Sequence, residues 1–184
     1  MAPSAVDIPA TQSKQTSEIP HLRSVLTSES APLAKRFRAL FSLKHYAALH
    51  PETNDTIPAI EAIAAAFTSP SALLKHELAY CLGQSRNLES APYLKKVLED
   101  KQEDSMCRHE AAEALGALGD VSSLPLLKEL RDDKQEPEVV RETCDIAVDR
   151  IEWEHSKEGI AERLKQRYAI PISCTSTQYY LSWL

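Results

Sequence analysis

The sequence predicts an all-α protein in which a pair of helices repeats along the chain. Glycine occurs only four times in 184 residues, well below the average share of roughly 7%. Alanine, leucine, glutamate and lysine dominate instead, and these residues favour helices. Similar segments also recur at a spacing of about 33 residues, a period typical of stacked helical repeats. The few glycines and aromatic residues argue against a β-sandwich or β-barrel.

The clearest repeated segment predicts the second helix of each unit. KHELAYCLGQ (75–84) aligns without a gap with RHEAAEALGA (108–117), one period further on. RETCDIAVDR (141–150) is a third copy after the same interval, and KRFRALFSLK (35–44) is a looser fourth, displaced by an insertion around HYAALHPETND. Glycines close these segments at Gly83 and at Gly116 and Gly119, where we expect helix C-caps.

Prolines mark the first helix of each unit. Pro58, Pro92 and Pro125 recur at nearly the same interval, and each opens a run with helical apolar periodicity. Proline is favoured in the first turn of a helix, where its missing N–H costs no hydrogen bond. Each unit is therefore predicted to be a helical hairpin that buries its apolar stripe against its neighbours.

About four hairpins are predicted to stack into a solenoid over residues 19–155. The expected units are 19–50, 56–86, 89–119 and 122–153. The TPLHxA signature of ankyrin repeats is missing, as is the tryptophan–tyrosine pattern of tetratricopeptide repeats. The sequence therefore favours HEAT-like repeats.

The two ends of the chain differ in composition from the repeats. Residues 1–18 are rich in small and polar residues and in proline, and we expect a disordered N-terminal arm. Residues 156–184 are expected to form an atypical C-terminal tail, because residues 168–184 carry no charged side chain. We interpret the tail as an ending unrelated to the repeats. A genuine apolar tail that caps the last repeat is the alternative.

Charge and cysteine usage narrow the classes of function. A net charge of −6 argues against nucleic acid as a partner, and no apolar run approaches the roughly 18 residues of a membrane span. The arm lacks the features of a signal peptide or presequence. The cysteines are widely spaced, which fits reduced thiols: Cys81, Cys107, Cys144 and Cys174. We therefore expect the protein in the cytoplasm, with the nucleus as the alternative location.

Two His-Glu pairs occupy equivalent positions of neighbouring repeats and are the sharpest chemical signal. His76-Glu77 and His109-Glu110 lie one period apart, on helices whose axes should be roughly 8–10 Å apart. Two imidazoles and two carboxylates would then converge on one point. Neutral imidazole plus carboxylate is the ligand set of non-haem iron. The alternative is that the pairs belong to a solvated helix face.

The repeated segments that contain or match these pairs strongly resemble the N-terminal half of deoxyhypusine hydroxylase, over residues from about 30 to about 155. They are KHELAYCLGQ, RHEAAEALGA and RETCDIAVDR, with RFRALFSLK in the first unit. The resemblance implies a HEAT-repeat di-iron monooxygenase that hydroxylates deoxyhypusine on translation initiation factor 5A and so completes hypusine. It also implies that His76, His109 and Glu110 are direct iron ligands. Glu77 would be a further ligand or a catalytic neighbour that positions the substrate amine.

The resemblance is incomplete, because the family carries two such halves and four His-Glu motifs. We therefore expect a truncated chain with half of the metal site and weak or no hydroxylase activity as a monomer. A homodimer would restore four motifs. The runner-up hypothesis is a non-catalytic HEAT scaffold that binds a protein through its concave face. A HEAT-like lyase for a bilin chromophore ranks last, since it leaves the paired motifs unexplained.

Overall fold

The computed structural model describes residues 18–48 and 53–168 and contains no strand within them. The all-α prediction is thus confirmed for the described part of the chain. Its α-helices are α1 (Ile19–Thr27), α2 (Leu33–Ala47), α3 (Thr56–Ala64), α4 (Ala72–Gln84), α5 (Ala91–Glu99), α6 (Ser105–Leu118), α7 (Leu124–Asp132), α8 (Glu138–His155) and α9 (Lys157–Tyr168). Short 3-10 turns lie at Ala65–Thr68, Leu88–Ser90 and Val121–Ser123. The predicted arm, except Glu18, and residues 169–184 of the predicted tail lie outside the described residues.

The helices form hairpins that pack side by side through their second members. Helix α5 packs against α6 and α7 against α8, while α4 packs against α6 and α6 against α8. The two prolines that open α5 and α7 occupy the first turn, as the sequence predicts. One continuous apolar core runs between the helices and includes Leu78, Leu94 and Leu115. Stacking the second helices in one layer brings equivalent residues of successive repeats together.

Two of the glycines permit this close stacking and are not helix caps. Gly83 and Gly116 occupy equivalent repeat positions and both lie inside helices. A Cβ atom on Gly83 would lie 2.7 Å from the Cβ atom of Ala114, and one on Gly116 would lie 3.0 Å from the Cβ atom of Ala147. The expectation that these two glycines end their helices is wrong, because each faces the backbone of the next helix.

The turns after α4 and α6 each contain a left-handed residue at the same repeat position. Gly119 ends α6 with a φ of +68°, as a C-cap glycine should. Arg86, at the same position of the preceding repeat, also has a left-handed backbone, with a φ of +54°. A residue with a Cβ atom is strained there, so the second repeat keeps the turn with a less suitable residue.

Basic residues at the start of the second helices tie successive repeats together. Buried Arg108 donates from Nε to the Leu98 carbonyl oxygen at 2.9 Å, and its Nη1 lies 2.5 Å from Oε2 of buried Glu136. Lys75 and Glu103, one repeat earlier, form the equivalent pair at 2.5 Å. These ion pairs link the second helix of one hairpin to the loop of the next, which fixes the register of the stack.

The three cysteines of the described chain are free and buried in helices. Burial raises the pKa of Cys81 and of Cys144 to about 12 and that of Cys107 to about 11. These thiols are therefore protonated core residues near neutral pH. Among the described helices, none has both the length and the apolar character that crossing a membrane requires.

Candidate metal centre

Helices α4, α6 and α8 begin at equivalent repeat positions, and this determines how far along each helix the candidate ligands lie. The N-caps of α4, α6 and α8 are Ser71, Asp104 and Pro137, each one repeat after the last. The Ser71 hydroxyl accepts a hydrogen bond from the backbone N–H of Leu74, and the Asp104 carboxylate accepts one from Met106. Since each helix begins at the same repeat position, the two His-Glu pairs lie at the same level of neighbouring helices.

The structure joins the two pairs through one contact between α4 and α6. Nε2 of His76 lies 3.1 Å from Oε2 of Glu110, whose side chain is only 8% exposed. His76 is also near its own neighbour, with 3.7 Å between Nδ1 and Oε1 of Glu77. The His76 imidazole therefore lies between two carboxylates, one from its own helix and one from the next second helix.

A second group of possible ligands is centred on α6. Ligand atoms of His109, Glu110 and Glu113 lie within 4.8 Å of one another, the only such group in the part of the chain that the structure describes. Nε2 of His109 is 3.8 Å from Oε2 of Glu113, whose side chain is 62% exposed. One buried carboxylate, one exposed carboxylate and one imidazole could thus share a cation.

The electrostatics of Glu110 fit a cation-binding role. Burial raises the pKa of the Glu110 carboxyl, the negative charges of Glu113 and Glu77 raise it further, and His76 opposes them. An ionised carboxylate that is poorly solvated and surrounded by like charge is unfavourable until a cation arrives. Imidazole and carboxylate donors suit iron and other divalent transition metals. The residues present therefore fit a metal ion.

His109 has one further partner, on helix α8. Its Nδ1 atom lies 2.6 Å from Oγ1 of Thr143. The Thr143 hydroxyl donates to the Val139 carbonyl oxygen at 2.7 Å. Thr143 is buried and occupies the repeat position of Glu77 and Glu110. The His109 ring is thus held between α6 and α8 as well as by the carboxylates.

Of the four predicted site residues, Glu77 is placed least centrally. His76 contacts Glu110, and His109 and Glu110 share the cluster with Glu113, whereas Glu77 approaches only the ring of His76 among the ion pairs of the described chain. Its partly exposed carboxylate lies beside the cluster. That position suits contact with a bound molecule as well as it suits a metal ligand.

Sequence reasoning missed two residues at this centre. Glu113 follows His109 by four residues, and residues at that spacing lie on the same helix face. Thr143 is the fourth-repeat equivalent of the two glutamates, so the repeat phase marks its position although its residue type does not. Both signals were available in the sequence.

Comparisons with known proteins identify the class and then the family. Residues 57–147 match the family model of HEAT repeats. The chain is 72% identical over 166 residues to deoxyhypusine hydroxylase of Coccidioides immitis, covering 90% of this chain and 50% of the relative. It is 74% identical over 144 residues to that of Aspergillus niger, covering 78% and 43%. A structure of the human deoxyhypusine hydroxylase in complex with glycerol matches with a TM-score of 0.66 and 39% identity, covering 90% of this chain and 49% of that one.

The fold and the matched segment define a helical-repeat protein of the HEAT type. At these identities, the chain is similar to the deoxyhypusine hydroxylases. It spans about half the length of the relatives that it matches. The HEAT-like prediction and the family resemblance are both confirmed.

Proposed function

We propose that this chain supplies one half of an iron site that hydroxylates deoxyhypusine on translation initiation factor 5A. The observation that carries the proposal is the shared cluster of His109, Glu110 and Glu113, joined to His76 through Glu110. The relatives named deoxyhypusine hydroxylase support the reaction. No other cluster of this composition lies among the described residues.

The residues that would hold iron are His76, His109 and Glu110. His76 meets Glu110 at the junction of α4 and α6, and His109 and Glu113 share the cluster on α6 with Glu110. Iron would supply the activation of dioxygen that hydroxylation of an unactivated carbon requires. The protein holds the donors in neighbouring rigid helices, so little ordering is needed when the metal binds.

The exposed carboxylates give this surface the charge that the proposed substrate needs. Deoxyhypusine is a lysine derivative that carries a long polyamine chain, and its ammonium groups pair with carboxylates through charge-assisted hydrogen bonds. Glu77 and Glu113 are more exposed than Glu110 and are placed to accept such bonds. We assign Glu77 the role of positioning the substrate amine beside the metal ligands.

The two His-Glu motifs provide donors for part of the family's metal centre. Two histidines and three carboxylates suffice for one metal ion, whereas the family's paired centre draws on four His-Glu motifs. A homodimer that apposes two copies of this face would bring four motifs together. We therefore propose that these two motifs bind one iron ion in the cytoplasm and that a second set of motifs completes the hydroxylating centre.

Iron binding is the first test. The purified full chain is titrated anaerobically with ferrous iron, and bound iron is measured together with the oligomeric state. We expect one iron per chain, and we expect His76→Ala and His109→Ala to abolish tight binding without loss of helical content. His21→Ala is the matched control, because His21 is an exposed histidine on α1. A wild-type chain that stays metal-free at micromolar ferrous iron would contradict the metal assignment.

Hydroxylation is tested separately, with deoxyhypusine-bearing factor 5A as substrate and oxygen present. Activity that appears together with dimers, and that Glu77→Gln lowers more than it lowers iron binding, supports the proposal. The alternative is a non-catalytic scaffold. It is favoured if the chain binds the factor with unchanged affinity after both histidines are replaced.

A further inference from the structure

We infer that Thr143 is a positioning residue that keeps the proton of neutral His109 on Nδ1 and leaves Nε2 free to bind metal. This inference rests on the proposed function, since it assigns a partner to one of the proposed ligands. Thr143 lies outside the His-Glu motifs and on a different helix, α8. It acts on the metal through His109.

The hydrogen bonds that the Thr143 hydroxyl can form determine the tautomer of His109. A hydroxyl has one proton to donate, and this one is directed to the Val139 carbonyl oxygen at 2.7 Å. The oxygen can then only accept from the His109 ring, whose Nδ1 atom is 2.6 Å away. While the hydroxyl keeps its bond to Val139, Nδ1 carries the proton of the neutral imidazole.

The other ring nitrogen faces the cluster. Nε2 of His109 is 3.8 Å from Oε2 of Glu113, and the His109 ligand atom lies within 4.8 Å of those of Glu110 and Glu113. A neutral imidazole binds a metal through its unprotonated nitrogen, and the bond made by the other nitrogen selects which one that is. Thr143 therefore aims the lone pair of His109 at the carboxylates.

The repeat explains why a threonine suits this position. His76 contacts Glu110 in the next repeat, and His109 contacts Thr143 at the equivalent position of the repeat after that. In the first case the partner is a candidate ligand that carries charge. In the second case the repeat position holds a neutral hydroxyl, which orients the ring without competing with Nε2 for the metal.

Packing makes the contact rigid. Thr143 is only 8% exposed, and a β-branched side chain on a helix has few rotamers. A hydroxyl bond to the carbonyl oxygen four residues earlier is a common local arrangement for threonine in helices. Water has little access to replace the threonine oxygen beside Nδ1.

The tautomer is tested directly by nitrogen NMR on the metal-free full chain labelled with ¹⁵N-histidine, at a pH where the ring is neutral. The signals of His109 are identified by their loss in His109→Gln. We expect Nδ1 protonated in the wild type and a shift of population to the Nε2-protonated form in Thr143→Val. Thr143→Ser keeps the hydroxyl and should restore the wild-type tautomer.

Metal affinity is the second readout. We expect Thr143→Val to weaken ferrous iron binding by roughly 10- to 100-fold and Thr143→Ser to recover most of it. The control is Thr27→Val on α1, because the Thr27 hydroxyl donates an equivalent bond to the Arg23 carbonyl oxygen at 2.9 Å. Circular dichroism and thermal unfolding show whether each variant is folded.

The NMR measurement and the iron-binding measurement together distinguish failure of this inference from failure of the proposed function. A wild-type His109 protonated on Nε2, or a tautomer unchanged in Thr143→Val, overturns the role of Thr143 whatever the iron result. An Nδ1 proton that depends on Thr143, in a chain that binds no iron, keeps the positioning role and contradicts the metal assignment.

Discussion

Nε2 of His76 lies 3.1 Å from Oε2 of Glu110, which belongs to the next repeat. This contact joins the two His-Glu pairs into one surface, and it places a buried carboxylate between two histidine-bearing helices. Glu110 is therefore the residue on which the candidate metal centre depends most.

Replacing Glu110 by glutamine should separate metal binding from stability. We expect Glu110→Gln to weaken ferrous iron binding by at least about tenfold, which is the effect of removing a residue that supports a metal ligand. The metal-free protein should unfold at a higher temperature, because the amide removes a carboxylate that burial disfavours. Calorimetric titration and thermal unfolding measure the two effects. Unchanged iron affinity would argue against Glu110 as a ligand.

Glu113 should contribute to the metal site although it lies outside the His-Glu motifs. We expect Glu113→Gln to weaken iron binding by roughly tenfold and to leave stability nearly unchanged, since the side chain is exposed. Glu129→Gln on α7 is the control, because it removes the same charge from an exposed position away from the cluster. Equal affinities of the two variants would show that only net charge matters.

The two packed glycines give a matched pair of variants. Gly83→Ala brings a Cβ atom within 2.7 Å of Ala114, whereas Gly116→Ala brings one within 3.0 Å of Ala147. We expect Gly83→Ala to lower the free energy of unfolding by about 1–3 kcal/mol through overpacking, and Gly116→Ala to lower it less. Chemical denaturation measures both. Each alanine gains helix propensity, so a stabilised Gly83→Ala would mean that the helices separate easily.

The same pair should affect the site differently. Gly83→Ala separates α4 from α6 and so lengthens the contact between His76 and Glu110. Gly116→Ala separates α6 from α8 and so loosens His109 from Thr143. Iron affinity and histidine NMR spectra, both measured on each of the two variants, distinguish the two displacements.

The strained turn residue offers a stabilising substitution. Arg86 has a φ of +54° at the position where the next repeat has Gly119. We expect Arg86→Gly to raise the free energy of unfolding by about 0.5–1 kcal/mol, since relief of strain outweighs the added freedom of the unfolded chain. Gly119→Ala should lower it by a similar amount. Denaturant midpoints test both, and a destabilised Arg86→Gly would contradict the strain.

Acid should weaken the ion pair between repeats. Arg108, and then Lys101, hold the pKa of the Glu136 carboxyl below its usual value of 4.5. A carboxyl whose pKa is lower in the folded than in the unfolded protein stabilises the folded state at pH values above its unfolded pKa. This stability is lost as the pH falls through the folded pKa. We therefore expect the free energy of unfolding to decline as the pH drops below about 4.5, with part of that decline absent in Glu136→Gln.

Removing the carboxylate leaves Arg108 buried without its counter-ion. Glu136→Gln should thus cost about 3–5 kcal/mol at neutral pH. Glu129→Gln, exposed on α7, should leave both the neutral stability and the acid decline close to the wild type. A pH-independent difference between Glu136→Gln and the wild type would show that the carboxylate is not the titrating group.

The sequence by itself determined the helical repeat and the phase of the chemistry. The constant period places His76 and His109 at one level of neighbouring helices, because each repeat folds by the same local rules of helix starts, apolar periodicity and turns. The basic residues and the His-Glu pairs could be assigned to the second helix of each unit for the same reason.

Only the tertiary structure decided which atoms meet. Periodicity does not fix how closely two helices approach or which rotamer a side chain adopts, and these follow from packing. Gly83 and Gly116 look like helix ends in the sequence, but the fold uses their missing side chains to bring α4, α6 and α8 together. That close approach pairs His76 with Glu110 and His109 with Thr143, and it makes repeat positions into a site.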